Sequence, residues 1–220
     1  MVTDSNRQQS PPAKEFDFDA GWLCLDFANT VPVHELESGK RHPDPHVALE
    51  TYGDLVEWAL QAHQLSPQTA EQLIGHARRD PEAADRALAD AIRLREVIYR
   101  LVVGAGEGAA PAEDDLAQFN EALREARKRL EVDHAEGEFV WAWKDLASSL
   151  HAPLAPVLES AAQLLTSPDD LARVRHCGGD ACDWLFIDNS RNQSRRWCSM
   201  SGCGNRAKAR RHYQRQRASG

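Results

Sequence analysis

The stretch that decides the architecture is RHCGGDACDWLFIDNSRNQSRRWCSMSGCGNRAKARRHYQRQR, residues 175–217. It holds four of the chain's five cysteines as two pairs, Cys177 with Cys182 and Cys198 with Cys203, in the pattern C-x4-C-x15-C-x4-C. Tetrahedral Zn²⁺ is satisfied by four thiolates at ~2.3 Å, and two close pairs supply them while closing a loop too small to fold on a core of its own. The commoner spacing within such pairs is about two residues. Gly178, Gly179 and Gly202 let the wider turns curl round an ion. The spacing therefore predicts one structural zinc ion per chain on Cys177, Cys182, Cys198 and Cys203, against the alternative of two chance pairs of buried thiols. For the fifth cysteine, Cys24, an ordinary buried thiol is the preferred reading.

Between the pairs, Trp184, Phe186 and Trp197 flank a polar DNSRNQ turn, which reads as a hairpin. After Cys203 the chain has no helix breaker, and Asn205 is a good cap for a closing helix. A knuckle, a hairpin, and a second cysteine pair leading into a helix resemble the treble-clef arrangement of zinc fingers.

Charge divides the chain at the same place. Residues 171–220 carry 11 basic against 3 acidic side chains, net +8, and residues 1–170 carry 15 basic against 31 acidic, net −16. Nine basic residues and no acidic one follow Asp188, the asymmetry of a segment that meets a polyanion. The bland alternative is a solvated basic end that neutralises the acidic body.

The body reads as mainly helical. Thr51 with Asp54, Ser66 with Pro67, and Asp80 with Pro81 are start signals. They predict helices ending near His63, over the stretch from Ser66, and along DPEAADRALADAIRLREVIYRLVVG, the longest and the centre of the core. Ala84, Leu88, Ala91, Ile92, Arg95, Ile98, Tyr99 and Val102 recur there at three- and four-residue steps. Further helices are expected over Ala112 to Leu130 and Leu154 to Leu165, the latter with Leu158, Ala161, Ala162 and Leu165 inward. LEVDHAEGEFVWAW, with Gly137 between alternating runs, predicts a small β-hairpin, and FDFDAGWLCLDFANTV leans towards a short helix after Gly21. The fold class is thus mainly α with small β-hairpins (α+β), a helical N-terminal domain followed by a zinc finger. The expected boundaries are a disordered tail over 1–14, the helical domain over 15–166 and the finger with its basic helix over 171–220. With 42% hydrophobic and 27% charged residues, no basic and apolar leader and no long apolar run, the chain is expected to be cytoplasmic and off the membrane.

CGNRAKARRH, preceded by SRNQSRRWCSM and by the segment from Cys177 through WLFID, resembles the CGNR zinc finger, named after the tetrapeptide that stands here as Cys203, Gly204, Asn205 and Arg206. The body, with LCLDFANT near its start and GDLVEWALQA following, resembles the ABATE domain that commonly precedes this finger in bacterial proteins described as stress-induced transcription regulators. The resemblance implies a zinc-binding, DNA-binding regulator.

On a helix from Asn205, Arg206 and Arg210 share a face, and Lys208, Arg211, His212 and Arg215 widen it into a cationic surface suited to DNA phosphates. Arg191, Arg195 and Arg196 extend it, while Asn192 and Gln193 are placed to bond base edges or merely backbone. Four thiolates leave a zinc site with formal charge −2, so Arg195 and Arg206 are equally placed to donate to sulfur. Asp26 and Asn29 sit beside an apolar run and are read either as buried hydrogen-bonding groups or, with Trp22, Trp141 and Trp143, as the lining of a small-molecule effector pocket. His42 and His46 lie in a proline-rich loop, solvated in preference to metal-bound. No nucleophile and base pair stands out and four sulfurs leave no open coordination position, so no enzyme activity is expected. The leading expectation is a DNA-binding regulator whose N-terminal domain senses an effector or forms a homodimer; a protein- or RNA-docking module stapled by zinc, and an enzymatic N-terminal domain, are the alternatives.

Overall fold

A computed structural model of the chain describes residues 14–31, 48–179 and 182–218. The expected disordered tail, apart from Lys14, and the His42/His46 loop lie outside the described residues. Lys14 itself belongs to the body: its Nζ donates to the Ala48 carbonyl and forms ion pairs with Glu50 and Asp54, both at 3.0 Å.

The elements follow in the order α1 (Leu23–Ala28), α2 (Tyr52–Gln61), α3 (Pro67–Arg79), α4 (Pro81–Gly106), α5 (Glu113–Arg127), β1 (Leu130–Ala135), β2 (Glu138–Trp143), α6 (Ala155–Leu165), α7 (Pro168–Leu171), β3 (Val174–His176), β4 (Leu185–Ile187) and α8 (Asn205–Ala218). The fold is mainly helical with two small antiparallel hairpins among the described residues. The starts of α2, α3 and α4 are those the capping chemistry specifies. The Thr51 side chain accepts from the Asp54 amide at 3.1 Å and the Asp54 carboxylate from the Thr51 amide at 2.8 Å, a reciprocal box that satisfies two otherwise orphaned donors. Ser66 caps α3 and Asp80 caps α4, each ahead of a proline at the first helical position. His63, at φ 57°, turns the chain out of α2.

α4 crosses the centre of the body and buries Ala84, Ala91, Arg95, Ile98 and Val102 as expected, but the edges of its stripe differ. Ala87, Leu94, Val97 and Leu101 are buried, while Leu88, Ile92 and Tyr99 are only half-buried. In α6, Leu158, Ala161 and Ala162 face inward as expected, with Leu164 buried in place of Leu165. Arg95 sits within the α4 stripe at 1% exposure. Its guanidinium donates to the Thr30 carbonyl at 2.6 Å and to Glu96, the partners a buried charge requires. β1 and β2 are joined through Glu136 and Gly137, both at positive φ (52° and 89°), a two-residue turn whose twist matches that of the strands.

The C-terminal module departs from the expected layout in two ways. The hairpin is formed by β3 and β4, on either side of the Cys177/Cys182 turn, with Val174 opposite Ile187 and His176 opposite Leu185. The residues between the two cysteine pairs reverse as a loop instead. Asp188 holds it, accepting from Ser190 and from the Arg195 amide at 2.9 Å, so side-chain bonds replace a strand ladder. Asn205 is inside a helix rather than capping one: a wide turn over Met200–Gly204 precedes α8, and the Ser199 hydroxyl accepts from Gly202 at its start.

This module is docked on the body along β4. The side-chain amide of the buried Asn29 donates to the Leu185 carbonyl and accepts from the Leu185 amide, both at 2.9 Å. The Ile187 amide donates to the Ala20 carbonyl at 2.8 Å. Gly21 (φ 88°) lies so close that a Cβ there would meet Ile187 Cγ2 at 2.9 Å, so no larger residue fits the seam. Leu185, Phe186 and Ile187 are buried continuously with the helical core.

Candidate metal centre and basic face

The Sγ atoms of Cys177, Cys182, Cys198 and Cys203 all lie within 4.8 Å of one another, each buried, and none is in a disulfide. Cys182 and Cys198 are 3.8 Å apart, Cys198 and Cys203 3.7 Å. A tetrahedron of sulfurs at ~2.3 Å from a central ion has edges of ~3.8 Å, so the donor set fits zinc in chemistry and in size. The backbone is shaped to it. A Cβ on Gly179 would come within 3.1 Å of Cys203 Sγ, and the Gly178 amide donates to the Arg196 carbonyl at 2.7 Å, tying the two turns together. The Cys198 amide donates to Cys177 Sγ at 3.3 Å and Arg206 Nη2 to Cys203 Sγ at 3.2 Å. Such donors spread the negative charge of a thiolate site and orient its ligands. Hydrogen bonds from Cys182 and Cys198 lower the Cys177 thiol below its ordinary value. Those from Cys177, Cys182 and Cys198, with Arg206 adding to them, hold Cys203 far below the ordinary thiol value. Cys24 stands apart: fully buried, with its thiol pushed up to about 12 by burial.

The arginines divide by what they touch. Arg195 is turned inward. Its guanidinium donates to the Trp197 and Cys198 carbonyls of the second cysteine segment and, at 3.1 Å, to the Asp19 carbonyl of the body. It also packs 4.4 Å over the Phe186 ring. No sulfur is among its acceptors, so of the two arginines weighed as supports for the cluster only Arg206 reaches one. Arg191 and Arg196 are exposed on the loop, and Lys208, Arg210, Arg211, His212 and Arg215 are exposed along α8. Gln193 takes φ 47° at the loop's tip, beside the exposed Asn192. Loop and helix meet over Trp197, whose ring has Arg196 at 5.7 Å and Arg211 at 5.9 Å. They border a groove of about 360 Å³ with Arg206, Arg210 and Gln214. The sequence marked Trp197 only as a hairpin flank and did not mark Gln214; the tryptophan directly after Arg195 and Arg196 was the available signal for the first.

The four ligand-pocket candidates are not gathered. Asn29 is committed to Leu185. Asp26 accepts from the Ala20 amide at 3.0 Å, and burial pushes its carboxyl up to about 7. It borders a shallow recess with Phe18, Trp22 and Gln61. Trp141 is 72% exposed on the β1–β2 hairpin, and Trp143 is half-buried on the same strand.

A helical body carrying a four-cysteine zinc module defines the class. Residues 21–168 match the model of the ABATE family, described as "Putative stress-induced transcription regulator", and residues 173–216 match the CGNR zinc finger. The chain belongs to the ABATE family, and its C-terminal module is a CGNR zinc finger holding one structural zinc ion. No curated protein matches the chain. Among the described residues no helix is long and apolar enough to cross a membrane.

Proposed function

We propose that the protein is a DNA-binding transcription regulator, not an enzyme, in which the zinc module presents α8 to the phosphate backbone. One observation carries the reading: Lys208, Arg210, Arg211, His212 and Arg215 are all exposed on a single helix that a zinc ligand anchors just before its first turn, and no acidic residue follows Asp188. Phosphates at ~1.7 Å of charge spacing along a duplex attract such a surface whatever the base sequence. Arg196 and Arg191 on the neighbouring loop widen the surface. Arg195 and Arg206 act differently, holding the loop and the Cys203 sulfur in place. Four sulfur ligands leave no position on the ion for a substrate, which supports the non-enzymatic reading. A body that senses an effector or pairs with a second copy would turn such binding into regulation.

The test is binding of the zinc-loaded protein to random and genomic duplexes over a salt series. The parent should lose affinity steeply with salt. Replacing Arg210 and Arg211 together by Ala should weaken binding on every sequence and reduce the slope of log affinity against log salt by about 1 for each phosphate no longer neutralised, with zinc content unchanged. Parental affinity and slope in that variant would move α8 to a protein-docking role.

A further inference from the structure

A second cleft lies on the helical body, remote in composition from the zinc module. It is bounded by α4, α5, α6 and the segment leading into α6, with a volume of about 520 Å³, within the range of small-molecule sites. Its floor is apolar: Leu94 and Val97 from α4, Ala126 from α5, Leu154 and Leu158 on the third side. Its rim is charged, and most of those charges are already matched. Asp90 is held by His151 at 2.8 Å and by Arg93, Glu121 by Arg124 and Glu125 by Lys128.

One rim cation has no carboxylate within ion-pair distance among the described residues. It is Arg129, half-buried just past the end of α5. Its guanidinium makes a long hydrogen bond of 3.4 Å to the Glu125 carbonyl, and its charge reaches the Glu125 carboxylate without direct contact. A guanidinium beside an apolar cavity is a fork for a carboxylate or a phosphate, each bound through two parallel hydrogen bonds. The rest of the rim chooses between them. Asp90, Glu121 and Glu125 are taken up by neighbouring cations, so the rim offers one positive charge, which balances a single carboxylate and leaves a dianion in excess.

We propose that this cleft binds a small monocarboxylic acid with an apolar body, its carboxylate paired with Arg129 and its body laid on Leu94, Val97, Ala126, Leu154 and Leu158. A flexible alkyl chain or a single ring fits the volume. Bound there, it would bridge three helices of the body and stabilise their packing by mass action. The inference stands whether or not α8 binds DNA.

The experiment uses the zinc-loaded full chain and two matched probes, octanoate and the uncharged octanamide, titrated calorimetrically and by thermal shift. Octanoate should bind saturably with Kd of about 1 mM or tighter, as its atom count allows, and raise Tm. Octanamide should bind at least about tenfold more weakly, having lost the charged pair. Arg129→Gln should remove that preference, leaving both probes weak. Ala122→Phe, at a half-buried position of the lining, should block both by filling the cavity. Circular dichroism and zinc content verify that each variant is folded, and either variant alone suffices for the test. Absence of saturable octanoate binding to the parent overturns the proposal, as does binding that neither substitution changes.

Discussion

The helical body and the zinc module are ordered by different physics. In the body the deeply buried side chains are largely apolar and anonymous: Leu55, Trp58, Leu73, Ile98 and Leu164 are fully enclosed, each contributing in proportion to the area it removes from water. In the module, a handful of named polar pairs sets the path of the chain: four sulfurs, the Asp188 carboxylate under its loop, Arg195 across three segments, and Asn29 reaching in from outside. An apolar core tolerates substitution in small steps, because neighbouring side chains repack. A bracket made of one buried amide or one ion does not. The module should therefore fail at single points where the body gives way gradually.

The largest effect should come from the metal. Chelation, or Cys203→Ser, should remove the ion of one zinc per chain, and with it the roughly 10 kcal/mol or more that metal binding contributes to folding small zinc modules. Elemental analysis and limited proteolysis check this: cleavage should become rapid within 175–217 while the far-ultraviolet helical signal of the body persists. Loss of the body's helix together with the ion would mean that the two regions are not separable in this way.

A smaller loss should follow Asn29→Ala, which strands the buried Leu185 amide and carbonyl at once. Each unsatisfied backbone group costs about 1–3 kcal/mol, so denaturant unfolding should show a loss of roughly 2–6 kcal/mol, with zinc retained. An unchanged midpoint would show the docking bond to be dispensable.

The smallest effect is a slope rather than a loss. Burial raises the Asp26 carboxyl from 3.8 to about 7, so the native state holds this proton where the unfolded chain has released it. Stability from this group is present at low pH and declines as pH climbs from about 4 to about 7. Asp26→Asn keeps an acceptor for the Ala20 amide and removes the titration. The pH profile of Tm should flatten in that window, and a variant that retained the parental slope would assign the decline to other groups.

How much of this was legible in the sequence follows the same division. The α2, α3 and α4 starts were readable because Thr51, Ser66 and Asp80 act on amides three residues away, within any local window. The zinc ligands were readable because their spacing is itself the chemistry. The α4 stripe was legible at Ala84, Ala91, Arg95, Ile98 and Val102 and misread at its edges, since Ala87 and Leu94 are interchangeable with Leu88 and Ile92 by hydrophobicity alone and only packing decides between them. Asn29 and Arg195 were flagged as notable, but their partners lie 156 and 176 residues away, and nothing local encodes such a pairing. The hairpin within the finger was assigned the wrong second strand for a related reason: Asp188 turns the loop with its side chain, a device that leaves no alternating pattern. The cleft beside Arg129 left no mark at all, because it is assembled from helices whose sequences record only what faces inward.

The chain through β4 alternates between two owners. On the β3 side, the Cys177 amide donates to the Trp184 carbonyl and the Asp188 amide to the Arg173 carbonyl, whereas Leu185 and Ile187 donate their amides to Asn29 and Ala20 of the body. Deuterium exchange along this one segment thus reads two clocks. The Asp188 amide exchanges when the module itself opens, and the Leu185 and Ile187 amides exchange when the module lifts from the body, so adjacent residues time two separate motions.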